Sequence, residues 1–287
     1  MEPDANPLEE YFYKNDGPLL HKWLHYFDIY DRHFSPYRGK EITMVEIGVF
    51  HGGSMAMWSE YFGPQAKIIG VDISERAKQF ESDNVQVFIG DQEDPVFLNE
   101  LLERIGPIDV LLDDGGHTVG QQLVTFRELW PAIKPGGIAM IEDLHSNYWQ
   151  DFGGGYRKPG TFIEFAKTLI DSQNAWHSHE PDFQVDDYSR TVTGFHSYDS
   201  VIVVEKGDVP EPQVAMTGKL SFERDSSERL KPIANRSKGE GDPSLLVVDI
   251  WKRFEAALDR SDRAETELRL AKQTNAESIR EIVEITY

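Results

Sequence analysis

Two short runs of this sequence gather the side chains most capable of acid–base or metal chemistry. Residues 111–117 read LLDDGGH and residues 140–145 read MIEDLH, so each apolar run ends in two carboxylates and then an imidazole. Both runs have the pattern of buried strands, and the carboxyl ends of parallel strands face one crevice. Carboxylates so close together repel one another unless a cation lies among them, and oxygen ligands suit Mg²⁺, Mn²⁺ or Ca²⁺. The residues concerned are Asp113, Asp114, His117, Glu142, Asp143 and His145.

The two histidines are the candidates for a general base. His117 follows Asp114 across a Gly-Gly turn, which lets its ring enter the crevice and accept a proton near neutral pH. The competing interpretation makes His117 a surface residue at the start of the next helix. His145 is the second candidate, with a structural role beside the site as its alternative. Among the acids, Asp113 is expected to face a cofactor or the backbone, whereas Asp114 or Glu142 could instead cap turns.

A glycine-rich turn follows an earlier apolar run. Residues 44–54 read MVEIGVFHGGS, with Glu46 at a strand end, Gly48 and Gly53 in the turn and Ser54 at a helix start. Glycine permits a sharp turn and a close approach of backbone to a ligand. The spacing differs from the G-x-G-x-x-G fingerprint and places a carboxylate where a pyrophosphate would lie. An acid here favours a cationic nucleoside, and S-adenosylmethionine carries both a sulfonium and an ammonium group.

The next two strand ends extend the predicted cofactor site. Residues 68–72 read IIGVD, so Asp72 stands about 20 residues after the glycines, where nucleotide-binding folds bind a ribose diol. Asp91 and Gln92 follow the third strand and offer acceptors for an adenine amine. Each of these residues could also simply end a strand, as such residues do in many α/β proteins.

Apolar runs alternate with amphipathic stretches, which is typical of βαβ units around a parallel sheet. We predict strands at 44–47, 67–71, 85–89, 110–112, 137–141 and 200–204, and helices at 54–61, 95–104, 120–130 and 161–173. The predicted organisation has an N-terminal helical cap (1–40), a cofactor-binding core (41–206), a loop or linker (207–244) and an amphipathic C-terminal helix (245–287).

The composition limits the class of protein. With 29 Lys and Arg against 50 Asp and Glu, the formal net charge is −21, which disfavours nucleic acid and anionic membrane surfaces. The absence of cysteine excludes disulfides, thiolate nucleophiles and Cys-ligated metal centres. No stretch reaches the length of a membrane span and no signal peptide is evident. We therefore expect a cytoplasmic enzyme without membrane insertion.

Together these motifs resemble the metal-dependent class I S-adenosylmethionine O-methyltransferases that act on sugar hydroxyls. The similarity extends over residues 21–206 and includes the preamble HKWLHY (21–26) and the closing run YDSVIVVEK (198–206). It is strongest toward mycinamicin-type macrolide sugar O-methyltransferases and mycobacterial methylmannose polysaccharide methyltransferases. The resemblance implies a Rossmann-like α/β fold, with a mostly parallel seven-stranded sheet, helices on both faces and an antiparallel last hairpin.

The resemblance also implies roles for individual residues. S-adenosylmethionine would be bound by Glu46, Gly48, Asp72 and Asp91, and the preamble would close over it. Mg²⁺ would be held by Asp114 and Asp143, with Glu142 or Asp31 as a further ligand, and His117 would be the general base. The implied acceptor is a saccharide or glycoside, a sugar preference that Tyr148, Trp149 and Tyr156 fit because aromatic faces in a Gly-rich loop can stack on a sugar.

Two other functions stay open at this point. One is O-methylation of a catechol-like or other non-sugar diol, and the other is a non-catalytic scaffold that associates through the C-terminal helix. The intact acids disfavour the scaffold, because a degenerate site has no reason to keep charges that repel one another. We also expect a homo-oligomer, with a dimer as the favoured form.

Overall fold

Seven strands form one sheet in the computed structural model, which describes residues 6–215 and residue 217. The strands are β1 (Thr43–Ile47), β2 (Lys67–Asp72), β3 (Val85–Ile89), β4 (Ile108–Asp113), β5 (Ile133–Ile141), β6 (Val192–Ser197) and β7 (Ile202–Lys206). Their order is β3-β2-β1-β4-β5-β7-β6. The first five run parallel, whereas β7 lies antiparallel to β5 and β6 lies antiparallel to β7.

Helices connect the strands and precede them. The α-helices are α1 (Pro7–Lys14), α2 (Tyr26–Phe34), α3 (Gly53–Phe62), α4 (Pro95–Ile105), α5 (Val119–Leu129), α6 (Phe162–Asn174) and α7 (Asp187–Thr191). Short 3₁₀ segments lie at Ser35–Tyr37, Glu75–Phe80, Trp130–Ala132, Leu144–Tyr148, Gln150–Phe152 and Ala175–His177.

The sheet separates two hydrophobic cores. On one side, side chains of α1, α2 and α3 pack against alternate residues of β1 and β2, with Phe27, Tyr30 and Trp58 fully buried. On the other side, α4, α5 and α6 cover the opposite face through residues such as Phe126 and Phe162. Because both faces are covered, the central strands are mostly apolar, as is usual in parallel sheets.

The register of the strands places the carboxyl ends of β1, β4 and β5, which precede the predicted site residues, side by side at one edge of the sheet. Ile47 of β1 pairs with Asp113 of β4, and Asp113 pairs with Ile141 of β5. The backbone N–H of Asp114 then donates to the carbonyl of Ile47 (2.9 Å), and that of Glu142 donates to the carbonyl of Asp113 (3.0 Å). The residues that follow β1, β4 and β5 therefore enter one crevice.

The predicted fold class is confirmed, including the mostly parallel seven-stranded sheet and its antiparallel hairpin. The sequence prediction lacked β6, an edge strand that is only partly buried and contains Gly194 and His196, so its apolar pattern is weak. The described residues contain no helix that could cross a membrane. The predicted helix at 245–287 and most of the linker at 207–244 lie outside the described residues, and the domain bounds, the oligomer and the cytoplasmic location stay predictions.

Candidate active site

Two neighbouring cavities lie at the carboxyl ends of the parallel strands. The first, of about 210 Å³, is bounded by the preamble from Leu19 to Trp23, by the β1–α3 turn and by the residues after β4 and β5. The second, of about 260 Å³, lies over the ends of β2 and β3. Gly48, Phe50, Asp114 and Gly115 border both cavities, so the two are adjacent halves of one crevice.

The predicted cofactor glycines allow loops to pack closely around this crevice. A Cβ atom on Gly48, whose φ is +93°, would lie 2.0 Å from the carbonyl oxygen of Asp114. A Cβ on Gly53 would lie 2.5 Å from the carbonyl oxygen of Leu19, where the preamble crosses the start of α3. Both positions therefore exclude any side chain, and their glycines join the preamble and the β4 turn to the β1–α3 turn.

Asp72 and Asp91 border the second cavity, as a ribose and adenine site would require. The Oδ2 atom of Asp72 accepts hydrogen bonds from the backbone N–H groups of Val49 and Phe50 (3.0 Å each), and its Oδ1 accepts from Ser74 N–H (2.8 Å). Asp72 thus fixes the glycine turn and keeps further lone pairs for a ligand. Asp91 is exposed at the cavity rim.

Gln92 and Asp113 form a buried polar support for the turn after β4. The Gln92 amide donates to Asp113 Oδ1 and to Thr125 Oγ1 (both 3.1 Å), and its oxygen accepts from Gly116 N–H (2.8 Å). Asp113 Oδ2 has no hydrogen-bond partner among the described residues. Burial raises the pKa of Asp113 to about 6, although the charge of His117 lowers it. Both side chains therefore position the turn that carries Asp114 and His117.

Glu46 is fully buried below the first cavity. Its Oε2 accepts a hydrogen bond from Ser54 Oγ (2.8 Å), whereas its Oε1 lacks a hydrogen-bond partner among the described residues. The Lys22 ammonium lies 3.7 Å from Oε1. Burial raises the pKa of Glu46 to about 7, and Lys22 opposes this shift.

Lys22 is the functional candidate that the sequence analysis missed. Its side chain is only 2% exposed, and its Nζ atom lies 2.5 Å from Asp114 Oδ2 and 3.2 Å from Glu142 Oε2. Burial opposes the charge, but the carboxylates raise the pKa of Lys22 well above its ordinary value. The acidic crevice was expected to require a cation, and Lys22 supplies one. The sequence signal is weak, because a lysine among preamble aromatics resembles any surface lysine.

Glu142 is consequently bound to protein groups on both of its oxygens. Tyr30 OH donates to Oε1 (2.5 Å), and Lys22 lies against Oε2. Burial raises the pKa of Glu142 well above its ordinary value, with Lys22 lowering it. Glu142 therefore acts in this structure as the partner of Lys22 and Tyr30, and it lies outside the group that could hold a metal ion.

Three side chains do converge as a metal site would require: Asp114, His117 and Asp143. His117 Nε2 lies 3.4 Å from Asp143 Oδ2 and 3.9 Å from Asp114 Oδ1. The other oxygen of each acid is engaged, with Lys22 on Asp114 and with Tyr26 OH on Asp143 (2.7 Å). Each carboxylate thus presents one oxygen to the cluster.

The backbone conformations that orient His117 and Asp143 are energetically unfavourable. His117 and Asp143 both have left-handed backbone conformations, with φ values of +58° and +53°, which are unfavourable for residues other than glycine. Thr118 caps α5 in a capping box with Gln121, which starts the helix directly after His117. Ser146 Oγ donates to the His117 carbonyl (2.7 Å) and ties the two turns together.

The structure does not bring Asp31 or His145 to this cluster. Asp31, on α2, accepts a hydrogen bond from Tyr61 OH of α3 (2.7 Å). This placement corrects the assignment of Asp31 as a metal ligand. The His145 ring bonds Ser200 Oγ through Nδ1 and lies between the rings of Trp23 and Trp149, at 6.0 and 4.8 Å between ring centroids. His145 lines neither of the two cavities.

Comparison with known proteins shows which proteins this chain resembles. Residues 45–144 match the family profile of a methyltransferase domain. Demethylmacrocin O-methyltransferase of Streptomyces fradiae is 36% identical over 221 residues, which cover 72% of this chain and 54% of the relative. An 8-demethyl-8-alpha-L-rhamnosyl tetracenomycin-C 2'-O-methyltransferase of Streptomyces olivaceus is 36% identical over 196 residues, or 64% of this chain and 51% of the relative. Over these residues this chain is a homologue of O-methyltransferases, one of which is named for a rhamnosyl product.

A solved structure supports the same relationship for this homologue. The MycE methyltransferase from the mycinamycin biosynthetic pathway, in complex with Mg, SAH and mycinamycin VI, superposes with a TM-score of 0.63 at 32% identity. The match covers 78% of this chain and 58% of that protein. The chain spans about half the length of the curated relatives it matches. Lys22, Asp31 and His145 lie outside the matched residues 45–144.

One prediction concerns the titration of Glu46 in this methyltransferase homologue. Because its folded pKa of about 7 exceeds the ordinary value of 4.5, the folded state holds a proton that the unfolded chain loses between these pH values. The stability from this group is therefore present below pH ~4.5 and lost as the pH rises through about 7. Between pH 4 and 8, the Glu46→Gln variant should therefore lose about 3 kcal/mol less stability than the wild type, at ~1.4 kcal/mol per pKa unit.

Urea unfolding as a function of pH, without ligands, measures this difference. Glu60→Gln on the exposed side of α3 is the matched control and should keep the wild-type pH dependence. Parallel pH profiles for wild type and Glu46→Gln would contradict the assignment of a raised pKa to Glu46.

Proposed function

We propose that this protein transfers a methyl group from S-adenosylmethionine to a hydroxyl of a saccharide or glycoside and requires Mg²⁺. The observation that carries the proposal is the convergence of Asp114, His117 and Asp143 beside a divided crevice at the strand ends. The relatives support the reaction class, since both are named as O-methyltransferases and one is named for a rhamnosyl product. The solved relative was obtained with Mg and SAH.

The crevice fits S-adenosylmethionine in charge and shape. The second cavity offers the Asp72 and Asp91 carboxylates to a ribose and an adenine. The first cavity is lined by Ser54, which is hydrogen-bonded to the buried Glu46, and the Glu46 carboxyl group suits a cationic group nearby. Gly48 borders both cavities and Gly53 borders the first, and the absence of side chains there lets the loops around the crevice pack closely. These are the places where the amino-acid and nucleoside ends of the cofactor would be bound.

The cluster fits a divalent cation in its donor set. Asp114 Oδ1 and Asp143 Oδ2 are carboxylate oxygens, the ligands that Mg²⁺ prefers, and their second oxygens are fixed by Lys22 and Tyr26. Fixed carboxylates keep their orientation when the site is loaded, so little reorganisation is needed. When bound, S-adenosylmethionine supplies an electrophilic methyl group, and Mg²⁺ acts as a Lewis acid toward the acceptor hydroxyl.

His117 is then the group that takes the proton of the acceptor hydroxyl. Its Nε2 atom faces the cluster, so it can accept a proton there, and the adjacent acids stabilise the positive charge that the ring acquires. Asp113 supports the turn that carries His117 by accepting hydrogen bonds from the Gln92 amide and from the Gly115 N–H. Asp114 and Asp143 hold the cation and orient the hydroxyl.

An aromatic rim beside the cluster supports a sugar acceptor. Trp23 and Trp149 flank the His145 ring and are 53% and 49% exposed, and Tyr148 and Tyr156 are exposed on the same Gly-rich loop. Exposed indole faces suit the apolar face of a sugar ring. His145 contributes to this rim and is the second candidate for the general base.

The decisive experiment is a methyl-transfer assay of the full-length protein with S-adenosylmethionine and a panel of glycosides and catechol-like diols. We expect transfer to a glycoside hydroxyl, loss of transfer with EDTA and recovery with added Mg²⁺. Asp143→Asn should abolish the Mg²⁺-dependent rate, whereas Asp83→Asn, on an exposed loop away from the site, should retain it. Methylation of catechol-like diols alone would replace the acceptor class, and the absence of S-adenosylmethionine binding by calorimetry would refute the enzyme itself.

A further inference from the structure

A second cluster of metal-binding side chains lies away from the crevice, where α2 meets the terminal hairpin. It consists of His33 of α2, His196 of β6 and Glu205 of β7, with one ligand atom from each within 4.8 Å of the others. His196 Nε2 lies 2.9 Å from Glu205 Oε1, and His33 Nδ1 lies 3.9 Å from the same oxygen. None of these residues takes part in the proposed methyl transfer.

The hairpin is built to bring two of these ligands together. Gly194 pairs directly with Glu205 across the antiparallel strands, so His196, two residues further on, lies diagonally opposite Glu205 on the same face. A Cβ atom on Gly194 would lie 2.5 Å from Glu205 Oε2. The glycine therefore leaves the space into which the Glu205 carboxylate extends beside His196.

Tyr198 orients the third ligand, His33. His33 Nε2 and Tyr198 OH are hydrogen-bonded at 2.8 Å, which leaves Nδ1 to face Glu205. Histidine ligands of metals commonly have their other ring nitrogen bonded in this way.

The spacing suits a small tetrahedral ion. Metal–ligand distances of about 2.0–2.2 Å in zinc sites correspond to ligand–ligand distances of roughly 3.3 Å. The two distances to Glu205 Oε1 lie on either side of this value, so small side-chain rotations would complete the geometry. His33 and Glu205 also border a cleft of about 180 Å³, which leaves room for a water molecule as fourth ligand.

The geometry points to a zinc site formed by His33, His196 and Glu205, distinct from the Asp114–Asp143 cluster. Two imidazoles and one carboxylate favour Zn²⁺, whereas a cluster with two carboxylate oxygens favours Mg²⁺. Bound zinc would join α2 to the β6–β7 hairpin across 163 positions of sequence. Because α2 also carries Tyr26 and Tyr30, which hold Asp143 and Glu142, zinc would stabilise the helix that supports the crevice.

Zinc binding to the full-length protein tests this site, with the Asp114→Asn variant as the parent so that the acidic cluster is disabled. After chelator treatment, competition with a chromophoric zinc indicator should give one equivalent per chain for the parent and for a His179→Ala control at an exposed histidine. Adding His196→Ala or Glu205→Gln should abolish that equivalent. Adding Tyr198→Phe should weaken it by roughly 10-fold, as expected for the loss of an outer partner.

Thermal unfolding provides a second readout. Zn²⁺ should raise the Tm of the parent and of the His179→Ala control, with no rise for the His196→Ala or Glu205→Gln variants, and Mg²⁺ should not substitute for it. Having two replaceable ligands keeps the test informative if one variant folds poorly. A parent without a zinc equivalent, or one that binds zinc equally well after His196→Ala and Glu205→Gln, would overturn the proposal. Neither result depends on methyl transfer.

Discussion

Replacing His117 by alanine is expected to lower kcat for methyl transfer by roughly 10²- to 10⁴-fold, the usual contribution of a general base. The Nε2 atom of His117 faces both candidate metal ligands, and no other imidazole belongs to this cluster in the described part of the chain. Binding of S-adenosylmethionine should be retained, because the proposed cofactor contacts come from the β1–α3 turn and the ends of β2 and β3. Steady-state kinetics and calorimetry measure the two effects separately.

His145→Ala is the matched control, because the His145 ring is bonded to Ser200 at the rim and is not part of the cluster. It should change the acceptor KM more than kcat. Added imidazole should restore part of the rate to His117→Ala if the lost function is proton transfer, whereas loss of a metal ligand would appear as weaker Mg²⁺ binding. A normal kcat for His117→Ala together with an inactive His145→Ala would move the base to His145.

Lys22→Met is expected to destabilise the protein by about 3–5 kcal/mol, the range found when one partner of a buried ion pair is removed. The Lys22 ammonium contacts Asp114 and Glu142 and lies near Glu46, and its side chain is buried. Methionine preserves much of the side-chain volume, so the loss is chiefly electrostatic. Urea unfolding at neutral pH measures it, and the deficit should shrink toward pH 5 as the buried acids become protonated.

Two further variants separate charge from packing at Lys22. Adding Glu142→Gln to Lys22→Met should recover part of the stability, because one fewer buried carboxylate is left without a cation. Lys134→Met is the comparison, because it removes an ion pair with Asp109 in which the lysine side chain is 42% exposed. Loss of this pair should lower the free energy of unfolding by at most about 1 kcal/mol. Equal losses for Lys22→Met and Lys134→Met would contradict a central role for the Lys22 charge.

The parallel strands, and the position of the site at their carboxyl ends, could be predicted from the sequence because both depend on local patterns. Buried parallel strands are continuous apolar runs, and the acids, histidines and glycines that follow them mark their carboxyl ends. The bounds of β2 and β4 differ from prediction by only one or two residues. Edge strand β6 is different: its partly exposed residues and Gly194 leave no continuous run to detect.

The partners of the acids could not be predicted, because they depend on contacts between distant elements. Lys22 lies 92 positions before Asp114 and 120 before Glu142, and Tyr30 reaches Glu142 from α2. A pattern of four neighbouring carboxylates is compatible with a bound metal ion, a buried lysine or both. In the structure Lys22 contacts Asp114 and Glu142, whereas Asp114, His117 and Asp143 form a group that could hold a metal ion. His33 and His196 are as distant from one another and gave no signal in the sequence.

The left-handed backbone at His117 and Asp143 has a consequence for how this chain can change by mutation. Each such residue costs on the order of 1–3 kcal/mol, a cost that glycine would remove. Selection for thermal stability alone would therefore favour glycine at both positions and remove two side chains on which the proposed reaction depends. Stability and catalysis compete at the same two backbone positions, and a stabilised variant of this protein has to gain its free energy elsewhere in the fold.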